Sequence, residues 1–147
     1  MPSLATTPTP RDFRIGWSDT HSDHSKVAKS SKAKVVILGD SIAYGLTRYP
    51  EVWYRYFAKK SLNLGIPGDH TQNVLWRLAN ISLPDTLDYA IVVVGTNNLG
   101  HDSNKNIAEA ILLVADLVLK KHPKIKVIIS GLLPRDNSTS RKRKDIK

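Results

Sequence analysis

The sequence predicts an α/β protein in which helices cover both faces of a parallel β-sheet. Short continuous apolar runs, the pattern of strands buried on both faces, alternate along the chain with amphipathic segments of helical period. Each strand-like run also ends in a loop that contains glycine. Strands that alternate with helices are typical of right-handed β-α-β units, which build parallel sheets.

Four segments have the composition of strands. Three are strong apolar runs, and the fourth, SLNLG from Ser61, is short and alternates apolar with polar residues. The strong runs are KVVILG from Lys34, YAIVVVG from Tyr89 and KVIISG from Lys126.

Three segments between these strands have helical character. VWYRYFAKK, from Val52, is amphipathic. Thr71 can cap a second helix, whose apolar positions are Val74, Leu75 and Leu78. Ser103 or Asn104 opens a long third helix before Pro123, with apolar residues on one face: Ile107, Ala110, Ile111, Val114, Leu117 and Val118.

The length of 147 residues corresponds to about one domain. Residues 1–33 are rich in Ser, Thr, Pro, Lys and His, so we expect a flexible leader there and a folded domain over 34–147. The chain has no cysteine, which excludes disulfides and thiol nucleophiles. No run of 18 apolar residues is present, so we expect no membrane span and a cytoplasmic location.

The net charge of +9 raises the possibility of nucleic-acid binding. Most of the excess lies outside the predicted sheet, with +2 in residues 1–33 and +4 in residues 134–147. The RKRK run at 141–144 has the composition of a solvated surface. We therefore expect nucleic acid not to be the partner of this chain.

The loops that follow the predicted strands carry small polar residues. They are Gly39-Asp40-Ser41, Gly65-Ile66-Pro67-Gly68, Gly95-Thr96-Asn97-Asn98 and Gly131-Leu132-Leu133-Pro134. Carboxyl ends of parallel strands share one rim of the sheet, where ligands bind in this class of fold. At this rim, Ser41 has two interpretations: it is part of an ordinary polar turn, or it is a nucleophile. Asp40 is expected to orient its loop by accepting backbone hydrogen bonds.

The blocks GDS, GIPGD and GTNN, in this order after these strands, resemble the SGNH (GDSL-type) hydrolase superfamily. LNLGIPGDHTQNVLWRL and GLLPRD are most similar to its platelet-activating-factor acetylhydrolase catalytic-subunit branch. The resemblance covers about residues 34–147. It implies a three-layer α/β/α sandwich with a flavodoxin-like parallel sheet.

The resemblance also implies a chemistry, the hydrolysis of short-chain, acetyl-like carboxylic or lipid esters through an acyl-enzyme. Ser41 would be the nucleophile, and the backbone N–H groups of Ser41 and Gly68, with the side-chain amide of Asn97, would form the oxyanion hole. A neutral amide and a glycine without Cβ suit that role, because they donate to the developing oxyanion at close range. No cofactor or metal is expected.

One block of the resemblance is missing from this sequence. The superfamily pattern implies an Asp-x-x-His block that supplies the general base and its orienting carboxylate, but no histidine follows His122. We therefore expect the chain to be truncated, without the C-terminal strand and helix of the domain. An uncovered sheet edge favours self-association, so a homo-oligomer is possible.

Two alternatives stay open. His70 or His101, which follow two of the rim loops, could replace the missing base if they lay near Ser41, although exposed loop histidines are the simpler interpretation. The second alternative is a catalytically dead remnant that acts as a binding or interaction module, of the kind that mobile elements carry.

Overall fold

The computed structural model describes residues 3–134 and confirms the predicted α/β class. Four parallel strands form one sheet in the order β2-β1-β3-β4. They are β1 (Val35–Gly39), β2 (Ser61–Gly65), β3 (Tyr89–Val93) and β4 (Lys126–Ile129). The chain leaves β1 towards one edge of the sheet and then returns across it, so the strand order reverses beside β1.

Five α-helices of the described residues connect or flank the strands. α1 (Trp17–Ser30) precedes β1, and α2 (Ser41–Gly45) follows it directly. A short α3 (Pro50–Val52) continues into a π-helical turn, Trp53–Phe57, before β2. The two long crossovers contain α4 (Thr71–Ala79) and α5 (Asn104–Lys121).

The sheet separates two helical layers. Val36 and Leu38 of β1 are buried in the main hydrophobic cluster together with Val74 of α4 and Val114 of α5. Ile37 lies between them in the strand and is also fully buried, so its side chain faces the opposite layer. α2 packs against β1 and β2. The continuous apolar run of β1 is therefore explained by burial on both faces.

Residues 1–33 were expected to be a flexible leader, and the structure differs over their described part. Residues 17–30 form α1, whose Trp17 is 2% exposed and whose Ala28 is fully buried. The inward-facing stripe of α1 consists of buried Trp17 and Ala28 and half-buried His21 and His24, which are spaced by a helical period. Because two of these four residues are histidines, the stripe is not visible as an apolar pattern.

The helix caps confirm one expectation and correct another. Ser103 caps α5, where its hydroxyl oxygen accepts a hydrogen bond from the Asn106 N–H at 3.2 Å. The residue that caps α4 is His70, and Thr71 is its first helical residue. The Thr71 hydroxyl donates instead to the carbonyl of Ala5 at 2.9 Å, and so holds the N-terminal segment.

Strand β4 forms an edge of the described sheet. Ile128 and Ile129 remain 49% and 42% exposed there, which is unusual for neighbouring apolar strand residues. None of the helices within residues 3–134 is both long and apolar enough to cross a membrane. Self-association through the exposed edge stays a prediction.

Acid should weaken the folded state through His24. Burial, followed by the nearby Arg77 guanidinium and His21, lowers the pKa of His24 from its ordinary 6.5 to about 4. The unfolded chain therefore binds the proton near pH 6.5 and the folded chain only near pH 4. Between these values the unfolded state holds more protons, so the free energy of unfolding falls as the pH is lowered, by at most about 3 kcal/mol.

Urea unfolding at pH 7.5, 5.5 and 4.5 measures this effect. His24→Gln should flatten the dependence between pH 6.5 and 4.5, whereas His122→Gln, in the loop after α5, should leave it unchanged. Equal pH dependence in the His24→Gln variant and the parent chain would refute this role for His24.

Candidate active site

Ser41 lies at the junction of β1 and α2. Asp40 caps α2 and is fully buried, and its Oδ1 accepts a hydrogen bond from the Ile42 N–H at 2.8 Å. Asn63 of β2 anchors the same helix from the sheet, because its side-chain amide donates to the Ala43 carbonyl at 2.8 Å. Ser41 is the first residue of α2 and is exposed on the rim.

Gly39, just before this junction, is required by the close approach of two strands. A Cβ at Gly39 would overlap the carbonyl group of Val93 in β3. The overlapped Val93 atoms belong to the backbone, so a side chain at Gly39 could be accommodated only by shifting β1 or β3. The glycine of the GDS block therefore has a packing role in placing Ser41.

Gly39→Ala should destabilise the fold by about 1–3 kcal/mol, because the added methyl overpacks the strand junction. Gly45→Ala is the matched control at the other end of α2. Gly45 has φ −60° and nothing within 4 Å of a Cβ, so the same change there should be neutral or stabilise by up to about 1 kcal/mol. Urea denaturation compares the two variants, and similar midpoints would contradict the packing role of Gly39.

The loop after β2 carries Gly68 in a left-handed conformation. Its φ of 84° is one that glycine adopts without strain. The loop is joined to β1, since the Ile66 N–H donates to the Gly39 carbonyl at 3.0 Å. It then turns, with the Asp69 N–H bonded to the Ile66 carbonyl at 3.2 Å.

A buried ion pair holds this loop in place. The Arg77 Nε–H of α4 donates to Asp69 Oδ2 at 2.8 Å, with the side chains 3% and 0% exposed. The Trp17 indole N–H donates to the other carboxylate oxygen, Asp69 Oδ1, at 2.7 Å. Both oxygens of this carboxylate therefore have strong donors, one from α1 and one from α4.

The remaining Arg77 nitrogens reach the sheet. Nη1 donates to the Leu64 carbonyl of β2 at 2.7 Å, and Nη2 to the Gly39 carbonyl of β1 at 3.1 Å. Burial raises the pKa of Asp69, and the Arg77 guanidinium opposes that rise. An arginine keeps its charge in proteins, so we interpret the pair as an ionised one.

Loss of the Arg77 guanidinium should be severe. Arg77→Met leaves the Asp69 carboxylate buried without its counter-ion and should cost about 3–5 kcal/mol of unfolding free energy. Arg55→Met, at an exposed position in the π-helical turn, should stay within about 0.5 kcal/mol of the parent chain.

Adding Asp69→Asn to Arg77→Met should recover part of the loss, because a neutral amide is cheaper to bury than a carboxylate. Chemical denaturation measures all three variants. A cost below about 1 kcal/mol for Arg77→Met would show that the ion pair does not support the fold.

Asn97 is bound to the Gly68 loop. It lies in the short turn Thr96–Asn98 after β3, and its Nδ2 donates to the Asp69 carbonyl at 2.9 Å. A side-chain amide has two N–H bonds, so this anchor leaves the second one for another acceptor. The neighbouring Asn98 is fully buried, and its Oδ1 accepts a hydrogen bond from the Thr71 N–H at 3.0 Å.

The structure brings Ser41 and Asn97 together at one cleft of about 310 Å³. Its other lining residues are Ile42, Thr96, Leu133 and Pro134. Gly68 does not line this cleft, but it directly precedes Asp69, whose carbonyl holds Asn97. The loops after β1 and β3 therefore share this cleft, and the loop after β2 is hydrogen-bonded to the loop after β3. The loop after β4 contributes Leu133 and Pro134 to the cleft wall.

The two histidines considered as a base lie beside each other. The rings of His70 and His101 have centroids 6.1 Å apart and meet edge to face. Burial, followed by Arg11, lowers the pKa of His70, while Asp102 opposes the shift. Neither ring lines the cleft of Ser41. Within residues 3–134, no group of three His, Asp or Glu side chains could hold a metal ion.

The Gly-Asp-Ser and Gly-Thr-Asn-Asn loops, each at the end of a parallel strand, thus meet at one cleft of an α/β domain. Residues 37–146 match the pattern of the GDSL-like Lipase/Acylhydrolase family. The chain belongs to this family, which confirms the resemblance seen in the sequence.

Curated relatives lie in the predicted branch. Over 136 residues the chain is 38% identical to the platelet-activating factor acetylhydrolase IB subunit alpha1 of Bos taurus, and equally to that of Homo sapiens. The alignment covers 89% of this chain and 58% of the relative. The chain therefore spans little more than half the length of these relatives.

Solved structures show the same fold at lower identity. A Streptococcus pneumoniae protein with platelet activating factor in its name has a TM-score of 0.69 and 19% identity, covering 83% of this chain and 57% of that one. AlinE4, an SGNH-hydrolase family esterase, has a TM-score of 0.59 and 21% identity, covering 79% and 68%.

Sequence reasoning missed the residues that position the site. Arg77 and Asp69 have polar side chains eight positions apart, and Trp17 lies 52 positions before Asp69. A signal existed in the LWRL segment. The helical period places Arg77 on the same face of α4 as the apolar residues Val74 and Leu78. An arginine on such a face needs a buried partner, which points to a nearby carboxylate such as Asp69.

Proposed function

We propose that this chain carries the nucleophile and oxyanion-binding part of a serine ester hydrolase. Ser41 is the nucleophile, and the backbone N–H groups of Ser41 and Gly68, with the Asn97 amide, receive the negative charge that develops on the acyl oxygen. The observation that carries this proposal is the shared cleft of Ser41 and Asn97, with Asn97 anchored to the Gly68 loop.

The proposed reaction proceeds through an acyl-enzyme. The Ser41 Oγ attacks the ester carbonyl carbon, and its proton passes to a general base, so that a tetrahedral oxyanion forms. Collapse of this intermediate breaks the bond to the alcohol, which leaves with a proton. Water then attacks the acyl-serine, which releases the carboxylic acid and restores Ser41.

The geometry of Asn97 supports the oxyanion role. Its Nδ2 is fixed by the Asp69 carbonyl at 2.9 Å, so the second N–H points in a defined direction before any substrate arrives. Fixed donors need no reorganisation during reaction, and one such donor contributes roughly 3 kcal/mol of transition-state stabilisation in comparable enzymes. Asp40 supports Ser41 by capping α2 through its carboxylate.

The cleft supports a short acyl group. Its volume of about 310 Å³ is at the lower end for small-molecule sites, and Ile42 and Leu133 give it apolar walls. A small apolar acyl group such as acetyl fits between these side chains, which agrees with the acetylhydrolase names of the curated relatives.

Within residues 3–134, no general base lines the cleft beside Ser41. The sequence has no Asp-x-x-His block after β4, and no histidine of residues 3–134 lines the cleft. A serine without a base is a weak nucleophile, but oxyanion donors retain roughly 10³-fold catalysis over water in serine hydrolases that have lost the triad. Both acylation and deacylation should therefore be slow in this chain.

Slow transfer makes the acyl-enzyme itself observable. With p-nitrophenyl acetate, we expect one acetyl group per chain, located by peptide mapping at Ser41. Ser41→Ala should abolish this adduct, and Asn97→Ala should slow its formation by roughly 10²-fold. Ser130→Ala, a matched serine at the end of β4, should acetylate as the parent chain does.

The opposite result is equally clear. Acetylation that persists in the Ser41→Ala variant, or that is confined to lysines, would refute the nucleophile assignment. No histidine from the described residues 3–134 lines the cleft, which favours a second candidate function, a binding module that takes up esters without reacting. That alternative predicts saturable binding of p-nitrophenyl acetate with no adduct at Ser41.

A further inference from the structure

Two arginines from the N-terminal segment converge on Gly68. The Nη1 atoms of Arg11 and Arg14 both lie in contact with the position that a Cβ of Gly68 would occupy. Arg11 Nη1 also makes a long hydrogen bond to the Pro67 carbonyl, at 3.5 Å. Two guanidinium groups therefore lie over the loop that leads to the Asn97 anchor.

The backbone around these arginines is held on both sides. The Thr9 N–H donates to the Gln72 carbonyl at 3.1 Å, and the Asn73 amide donates to the Thr9 carbonyl at 3.0 Å. On the other side, the Trp17 indole N–H donates to Asp69 Oδ1, in the residue after Gly68, at 2.7 Å. The arginines thus extend from a backbone that is fixed against the loop.

Within residues 3–134 neither arginine forms an ion pair with a carboxylate, although the charge of Asp69 acts on Arg11. Asp69 is the nearest acidic residue in sequence to Gly68, but its two oxygens already accept hydrogen bonds from Trp17 and Arg77. The ion pairs formed among residues 3–134 involve neither Arg11 nor Arg14. Burial, followed by the charge of Arg14, lowers the pKa of Arg11, and the Asp69 carboxylate opposes this shift.

We propose that Arg11 and Arg14 form an anion-binding site at Gly68, which recognises a carboxylate or phosphate group carried by the ester substrate. Guanidinium groups match both anions with paired hydrogen bonds. The site lies next to the loop that anchors Asn97, so an anion bound there would hold the ester beside the cleft. This role in substrate recognition rests on the proposed function, whereas the anion site itself does not.

Binding can be tested without catalysis. The ¹⁵N-labelled chain is titrated with inorganic phosphate, methyl phosphate and acetate at constant ionic strength set with chloride, and the backbone amide signals of Gly68 and Asp69 are followed. We expect saturable shifts with at least one of these anions. The phosphate and acetate arms distinguish the two anion chemistries.

Matched variants separate recognition from overall charge. Arg11→Gln with Arg14→Gln should weaken binding at least about tenfold, because charge-assisted hydrogen bonds are lost. Lys26→Gln with Lys29→Gln removes the same net charge from exposed positions of α1 and should leave binding unchanged. Arg11→Lys with Arg14→Lys keeps the charge and should weaken binding by an intermediate amount. Shifts at Gly68 that are absent, or equal in the arginine-to-glutamine variant, would overturn the anion site.

The substrate role has its own measurement. Acetylation of Ser41 is compared for 4-acetoxybenzoate, its neutral methyl ester and 4-acetoxyphenyl phosphate. We expect a charged ester to react at least about tenfold faster than the neutral one at subsaturating concentration, and this advantage should vanish in the arginine-to-glutamine variant. Equal rates in the parent chain would overturn recognition of the substrate anion.

The two proposals can fail separately. Anion binding at Gly68 without acetylation of Ser41 by any ester would support the anion site and refute the hydrolase proposal. Ser41-dependent acetylation without anion binding at Gly68 would support the hydrolase and refute this inference.

Discussion

The buried guanidinium of Arg77 is the group on which this architecture depends. It donates to the Asp69 carboxylate and to carbonyls at the ends of two adjacent strands, those of Gly39 and Leu64. A charge that is almost fully buried must satisfy its donors inside the protein. The relative positions of β1, β2, α4 and the Gly68 loop are therefore all constrained by one side chain. The Trp17 indole extends the same network to α1 through the second Asp69 oxygen.

The candidate site is positioned by this network. Asp69 uses its carboxylate to bind Arg77 and Trp17, and its backbone carbonyl to bind Asn97. The Gly39 carbonyl accepts hydrogen bonds from Arg77 and from the Ile66 N–H. Gly39 is the last residue of β1 and lies two positions before Ser41. The residues assigned to chemistry thus lie at the surface of the rim, whereas the groups that orient them are buried beneath it. A stability defect at Arg77 and a defect in site geometry should consequently be difficult to separate by activity alone.

The sequence could predict the sheet, its parallel strands and the rim loops, because apolar runs and glycine-containing loops depend on local pattern. It could not predict α1, since His21 and His24 occupy two positions of its inward-facing stripe and hide the apolar period. It also missed the pairing of Asp69 with Trp17, because a contact across 52 residues leaves no local signal. Ser41 and Asn97 were placed on one rim by topology, but the hydrogen bond that fixes Asn97 required coordinates.

The polar N-terminal segment has a structural reason for its composition. The Ala5 carbonyl and the Thr9 carbonyl are hydrogen-bonded to side chains of α4. The Trp17 indole is hydrogen-bonded to Asp69, which lies just before that helix. Between Thr9 and Trp17 the chain passes over the Gly68 loop, so residues 10–16 are kept at the rim although none of them is buried. A segment in this position can contribute polar side chains to the site without contributing to the core. Arg11 and Arg14 are placed at Gly68 as a consequence of where Trp17 and Thr9 are anchored.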